Sequence, residues 1–255
     1  MAAPLTALRL ILTCAVTLSW AALAPDSLAA GPMSWREALS GRNVGERPDP
    51  PVIGRYEMDE GGGFVLDRST PRPLLKFEDS TEIWVLQPAP GPRGDTIYRN
   101  DLGEPMIRAT KLGGMTVFTE TRPDGSAAAL DGASPPLRIA PLSPAALFNR
   151  FYQASVRASR AAQHQVTFEN REDAEPATSA LLADAAAVAS QAVVEMASRP
   201  ADKTLIARLV DVVIAQGPKP NVTMQKGVLT VTVVPTQGIA GRPSSRRIEK
   251  GAGAK

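Results

Sequence analysis

The chain has 255 residues, 44% of them hydrophobic and only 5% aromatic, with a net charge of +2 at pH 7, one cysteine and one histidine. One thiol and one imidazole exclude an internal disulfide, Cys–His zinc sites and zinc sites built from several histidines of one chain, and a nearly neutral balance gives no ground for a nucleic-acid partner. The length fits one large domain or two small ones.

The first eight residues carry no acidic group, Arg9 supplies a positive charge, and Leu10 to Ala24 is almost unbroken apolar sequence. Ser27-Leu28-Ala29 then places small residues where a signal peptidase reads. Residues 1–29 are therefore expected to be a secretory signal peptide cleaved near Ala29. The run is short for a bilayer span, and no second long apolar stretch stands out downstream, so export is expected rather than anchoring. Cys14 would leave with the leader, and Ile11-Leu12-Thr13 before it is a poor lipidation signal. The mature chain of about 225 residues is long enough to bury a core without disulfides. An alanine-, arginine- and proline-rich composition fits a bacterium with a GC-rich genome, which makes the periplasm or the medium the expected destination.

Residues 30–52 are rich in Gly and Pro, close on Pro48-Asp49-Pro50-Pro51, and read as a linker with at most a helical turn around Trp35 to Leu39. From Ile53 to Leu130, short β-branched and aromatic runs such as Phe64-Val65-Leu66, Ile83-Trp84-Val85-Leu86 and Met115-Thr116-Val117 alternate with Gly, Asp and Pro turns. This spacing predicts an antiparallel β-meander over residues 53–130. Ile83 to Leu86, apolar on both faces, is expected to be a central covered strand.

The period becomes helical after Pro141. Ser143 is a natural N-cap with Pro144 at the first helical position, and Leu147, Phe148, Phe151, Tyr152 and Val156 form the expected buried stripe. A second helix is predicted from Ala177 to Ser198, with Asp184, Gln191, Glu195 and Ser198 as a narrow polar stripe on an otherwise Ala/Val/Leu surface. A third is predicted from Asp202 to Gln216, so that helices occupy residues 143–217. Residues 222–234, turning at Gln225-Lys226-Gly227, read as a hairpin that rejoins the first sheet, since an isolated hairpin is marginal in water. Residues 238–255 carry Arg242, Arg246, Arg247, Lys250 and Lys255 against Glu249, a net +4 that leaves the rest of the chain at −2. They are expected to be a disordered basic tail.

No catalytic constellation emerges. His164 has no recognisable partner nearby in sequence. The acidic groups Glu57, Asp59, Glu60 and Glu78, Asp79, Glu82 lack EF-hand order, and as turn residues they are ordinarily solvated. Gly61-Gly62-Gly63 has no Lys-Ser/Thr after it and opens no helix, as a phosphate loop would. No serine lies in a Gly-x-Ser-x-Gly elbow. Arg93-Gly94-Asp95 matches an adhesion tripeptide, which a Pro/Gly/Asp loop produces readily. Asn221-Val222-Thr223 is a glycosylation sequon, relevant in a eukaryotic host. Arg99, Asp101, Arg108 and Lys111 are a candidate anion-binding set, although charges on a wet sheet face are ordinary.

The blocks Phe64 to Ser69, Leu74 to Phe77, Glu82 to Pro88, Gly91 to Asp101 and Leu112 to Phe118 resemble an uncharacterised family of exported alphaproteobacterial proteins. That resemblance covers residues 55–130 best. It implies export and no activity, so it transfers no site residues.

The expected fold is α+β: one domain over residues 53–237, an antiparallel β-meander sheet packed by about three helices, with a C-terminal β-hairpin. Catalytic, cofactor and metal residues are assigned to none. The expected function is that of a non-enzymatic binding or scaffolding protein of the cell envelope. The alternative is a carboxylate-dependent hydrolase of envelope glycans, which requires two acidic side chains converging in one cleft. A further expectation is association of the basic tail with an anionic envelope surface.

Overall fold

A computed structural model describes residues 51–172 and 174–253. The expected leader, and all of the expected linker up to residue 50, lie outside the described residues. The fold is α+β, with a large antiparallel sheet and a second, smaller mixed sheet wrapped by helices.

Nine short strands build the large sheet: β1 (Ile53–Met58), β2 (Gly63–Asp67), β3 (Leu74–Phe77), β4 (Trp84–Val85), β5 (Gln87–Pro90), β6 (Thr96–Arg99), β7 (Pro105–Ala109), β8 (Met115–Val117) and β9 (Ser126–Ala133). Their order is β4-β3-β2-β1-β9-β8-β7-β6-β5. The two edge strands are separated in sequence by Leu86 alone, so the sheet must curl until its edges meet, and it is nearly a barrel. Residues 84–90 close the seam, with one end paired to β3 and the other to β6. Ile83, Trp84 and Leu86 are buried as their composition predicted. Their strand stands at the seam, however, and β1 and β9 hold the centre. Inside lie Tyr56, Phe64, Leu66, Leu75, Leu86, Ile107 and Val117. Tyr56 and Phe64 face each other across β1 and β2 and stack with ring centroids 5.1 Å apart. Each such fully buried side chain contributes about 1.5–3 kcal/mol relative to exposure.

A second core forms around helix α1 (Pro144–Ala162), strand β10 (Thr167–Asn170), helix α2 (Ser179–Ser198), the short helix α3 (Lys203–Ile206), strands β11 (Asp211–Gln216), β12 (Asn221–Gln225) and β13 (Val228–Val233), and helix α4 (Ser245–Gly253). Ser143 Oγ accepts from Ala146 N at 3.3 Å, the N-cap its sequence predicted. The buried stripe of α1 is Leu147, Phe151, Ala154 and Ala158, while Phe148 and Tyr152 stay exposed. Helix α2 is covered over most of its circumference, and its alanines let neighbours approach closely. By length and composition it could cross a membrane, yet two-thirds of its most apolar window is buried inside the protein, as in the core helix of a globule.

Three expectations are corrected here. The helix predicted over Asp202–Gln216 stops at Ile206, and Asp211–Gln216 is a strand. Leu209, Val212 and Val213 satisfy a helical period, but four of the five residues from Val210 to Ile214 are β-branched, with Asp211 the exception. Burial between parallel neighbours β10 and β13 decides it. The hairpin β12–β13 forms, and it joins this second sheet rather than the first. Finally, the segment after Gln237 is ordered throughout its described length: a 3-10 stretch over Pro235–Gly241 leads into α4, which packs on α2 and β12. Gly241 permits that path, since a Cβ there would sit 2.1 Å from the Val234 carbonyl oxygen.

Candidate functional site

The C-terminal segment fastens the helical core to the barrel. Arg242, expected to be a solvated tail cation, has a side chain 1% exposed. Its Nε donates to Asp184 of α2 at 2.5 Å, its Nη1 to Glu82 before β4 at 3.2 Å, and its Nη2 to the Ile83 carbonyl at 2.7 Å. Burial alone would favour losing the proton, but the two carboxylates outweigh it and hold the guanidinium more firmly charged than usual. Glu82 is pushed upward by burial, against the pull of Arg242 and the Ser245 N–H. One turn on, Asp101 accepts from Ser244 Oγ at 2.6 Å and from Arg247 Nε at 3.1 Å. Arg246 bridges Glu104 at 3.0 Å and Glu120 at 3.2 Å. Three of the five expected tail cations are thus engaged within the fold, and Lys255 lies outside the described residues. Arg242, Arg246 and Arg247 each face a carboxylate distant in sequence.

Beside this clasp a polar cleft of about 470 Å³ opens between barrel and helices. Its apolar wall includes Phe77, Trp84, Met106 and Phe118 from the barrel; its polar wall includes Glu60, Asp79, Glu120, Arg122, Gln191, Glu195 and Arg246. The structure brings together one or two members of each acidic group noted in the sequence, Glu60 with Asp79 and Glu82, and adds Glu120 and Glu195. The narrow polar stripe of α2 was the available signal for Glu195. Two of the four carboxylates in that wall are paired within it, Glu60 with Arg122 at 2.7 Å and Glu120 with Arg246, and Asp79 and Glu195 leave the wall with an acidic excess.

Behind the cleft, Glu195 and Glu249 converge. Glu249 is 9% exposed at its side chain, and its Oε2 accepts from Arg199 Nη1 at 2.5 Å. Its Oε1 is buried with no donor among the described residues. Glu195 itself accepts from Gln191 Nε2 at 2.7 Å. Burial first, then sharing with Glu195, push the Glu249 carboxyl up to about 8, against the pull of Arg199.

Other sequence candidates resolve locally. His164 spans the carbonyls of Ala162 and Leu209, at 3.0 and 2.7 Å, and ties the end of α1 to the start of β11. Asp95 of the adhesion-like tripeptide has a side chain 6% exposed and pairs with Arg108 at 2.5 Å, so it presents no free carboxylate. The candidate anion set is divided: Arg108 and the Lys111 N–H turn to Asp95, Arg99 to the Gly103 carbonyl, and Asp101 to the clasp. Glu78 pairs with Arg55 at 2.7 Å. Among the described residues, no group of three or more His, Cys, Asp or Glu is arranged to hold a metal ion.

Fold and cleft define a class: a nearly closed antiparallel sheet joined by a buried ionic clasp to a helix-covered mixed sheet, with a cleft of mixed charge at the junction. The chain belongs to the family described as Domain of unknown function (DUF4908), whose profile matches residues 34–252. No curated protein and no solved structure matches the chain.

Proposed function

We propose that this is an exported, non-enzymatic binding or scaffolding protein of the bacterial cell envelope, with the cleft as its ligand seat. The observation that carries the reading is the aromatic wall that faces amide and carboxylate edges across the cleft. Aromatic faces flanked by amide and carboxylate edges suit a neutral polyhydroxyl ligand such as a glycan chain. The leader-like first 29 residues support the envelope as the place where that ligand is met. Calorimetric titration of neutral cell-wall oligosaccharides into the purified protein should give saturable binding, lost in Trp84→Ala, with the sugar recovered intact. Absence of binding to any such oligosaccharide refutes the reading, and so does its cleavage.

The convergence of Glu195 and Glu249 favours a second reading, a carboxylate-dependent hydrolase of envelope glycans. Its geometry is less suitable. A glycosidase pair flanks the bound sugar, whereas Glu249 is not among the residues that line the cleft. Turnover abolished by Glu195→Gln would establish this second reading over the first.

A further inference from the structure

A second concavity, about 750 Å³ and predominantly apolar, lies between α1 and the outer edge of β10. Phe148 and Tyr152 stand in it 71% and 61% exposed, beside the buried Leu147 and Phe151. Tyr152 also borders a depression on the α2 side of α1, lined by Val156, Arg157, Arg160 and Val194. Exposed apolar surface gathered in one strip marks a binding face. None of these residues lines the cleft, so this face is separate from the proposed ligand seat.

We propose that this strip joins two copies of the chain in a two-fold symmetric dimer, with their α1 helices antiparallel. The placement of charge selects a second copy as the occupant. Ser159 Oγ accepts from Val166 N and Ser155 Oγ from Phe168 N, both at 2.9 Å, so β10 runs antiparallel beside α1. Four residues on from Phe168, a rise of about 13 Å, Glu172 therefore stands about 9 Å from Tyr152 towards the start of α1. It lines the groove together with Ser143 and Pro144, as that estimate requires. Residues 171–175 carry three acidic groups against Arg171. Helix α1 carries three arginines and no acidic residue. Of these, Arg157 and Arg160 are exposed about 7.5 and 12 Å from Tyr152 towards the other end. The two charged groups also lie on opposite flanks of α1, the acidic one beside β10 and the basic one on the α2 side, where Arg157 donates to Gln191. A two-fold axis passing beside Tyr152 exchanges both ends and flanks. It lays aromatic strip on aromatic strip and sets Arg157 and Arg160 of each copy against residues 171–175 of the other. Burying the rings supplies attraction, and the paired charges fix the antiparallel register.

Sedimentation equilibrium of the full chain at about 50 mM salt tests this, over loadings from about 1 to about 200 μM. A monomer–dimer equilibrium with a micromolar dissociation constant is expected, weakened in high salt. Arg157→Glu with Arg160→Glu, and separately Glu172→Lys with Glu175→Lys, should each weaken it at least about tenfold. An equimolar mixture of these two variants should restore association, because each reversed group then meets an opposite charge. Phe148→Ser with Tyr152→Ser, at exposed sites, should abolish the dimer while keeping the parent's circular dichroism, and decides the matter should a charge reversal unfold the chain. A chain that stays monomeric at about 200 μM, a dimer indifferent to the aromatic pair, folded reversals that associate like the parent, or a mixture of them that fails to associate would each overturn the proposal.

Discussion

Arg242→Met isolates the clasp between barrel and helical core. The change keeps most of the side-chain length but removes every donor that Glu82, Asp184 and the Ile83 carbonyl receive from this residue. Glu82 and Asp184 are 3% and 12% exposed at their side chains, so water cannot fully replace the lost cation. Removing one partner of a buried ion pair costs about 3–5 kcal/mol, because an uncompensated charge stays behind. That is a large share of the 5–15 kcal/mol by which domains are stable. Urea unfolding at pH 7, followed by circular dichroism, should show this loss as a lower midpoint with an unchanged slope. Without Arg242, burial raises the Glu82 carboxyl further above its unfolded value. The folded variant then binds a proton more tightly than the unfolded one, and the deficit grows as pH rises from 5 to 8. Adding Glu82→Gln and Asp184→Asn should recover part of the loss. A deficit under about 1 kcal/mol at pH 7, or one insensitive to pH, would refute the clasp as a structural element and restore the picture of a dispensable C-terminal tail.

Three further outcomes follow from individual residues. Glu249 holds its proton to about 8 in the folded state against an ordinary value of 4.5, so its contribution is present at low pH and lost as pH rises through 8. Glu249→Gln should therefore flatten the urea midpoint between pH 5 and 9 and exceed the parent's stability at pH 9. Gly241→Ala drives a methyl group into the Val234 carbonyl at 2.1 Å and should lower stability by about 1–3 kcal/mol in thermal unfolding, the range of forced overpacking. Asp101→Asn weakens a partly exposed pair with Arg247, leaving a side chain that can still accept from Ser244. Its cost should be about 1 kcal/mol or less and should shrink in high salt.

The sequence by itself determined the elements whose instructions are local. Gly-, Asp- and Pro-bearing turns between short β-branched runs spelled out the antiparallel strands of residues 53–130, and Ser143-Pro144 marked the start of α1. The alanine-rich run foretold a buried α2, and Gln225-Lys226-Gly227 marked the hairpin. Of the cleft, only parts were legible: the acidic turns and the polar stripe of α2 were visible, without any sign that they meet. Tertiary structure decided the rest. Whether Val210 to Ile214 became helix or strand depended on parallel neighbours on both sides, which a period shared by both states does not encode. Closure of the sheet depended on residues 84–90 meeting two strands at once. The segment after Gln237 looked solvated because its charge is local and basic. Its partners Glu82, Asp101 and Asp184 lie 58 to 160 residues away, and only when folding assembles them does burying Arg242 become favourable.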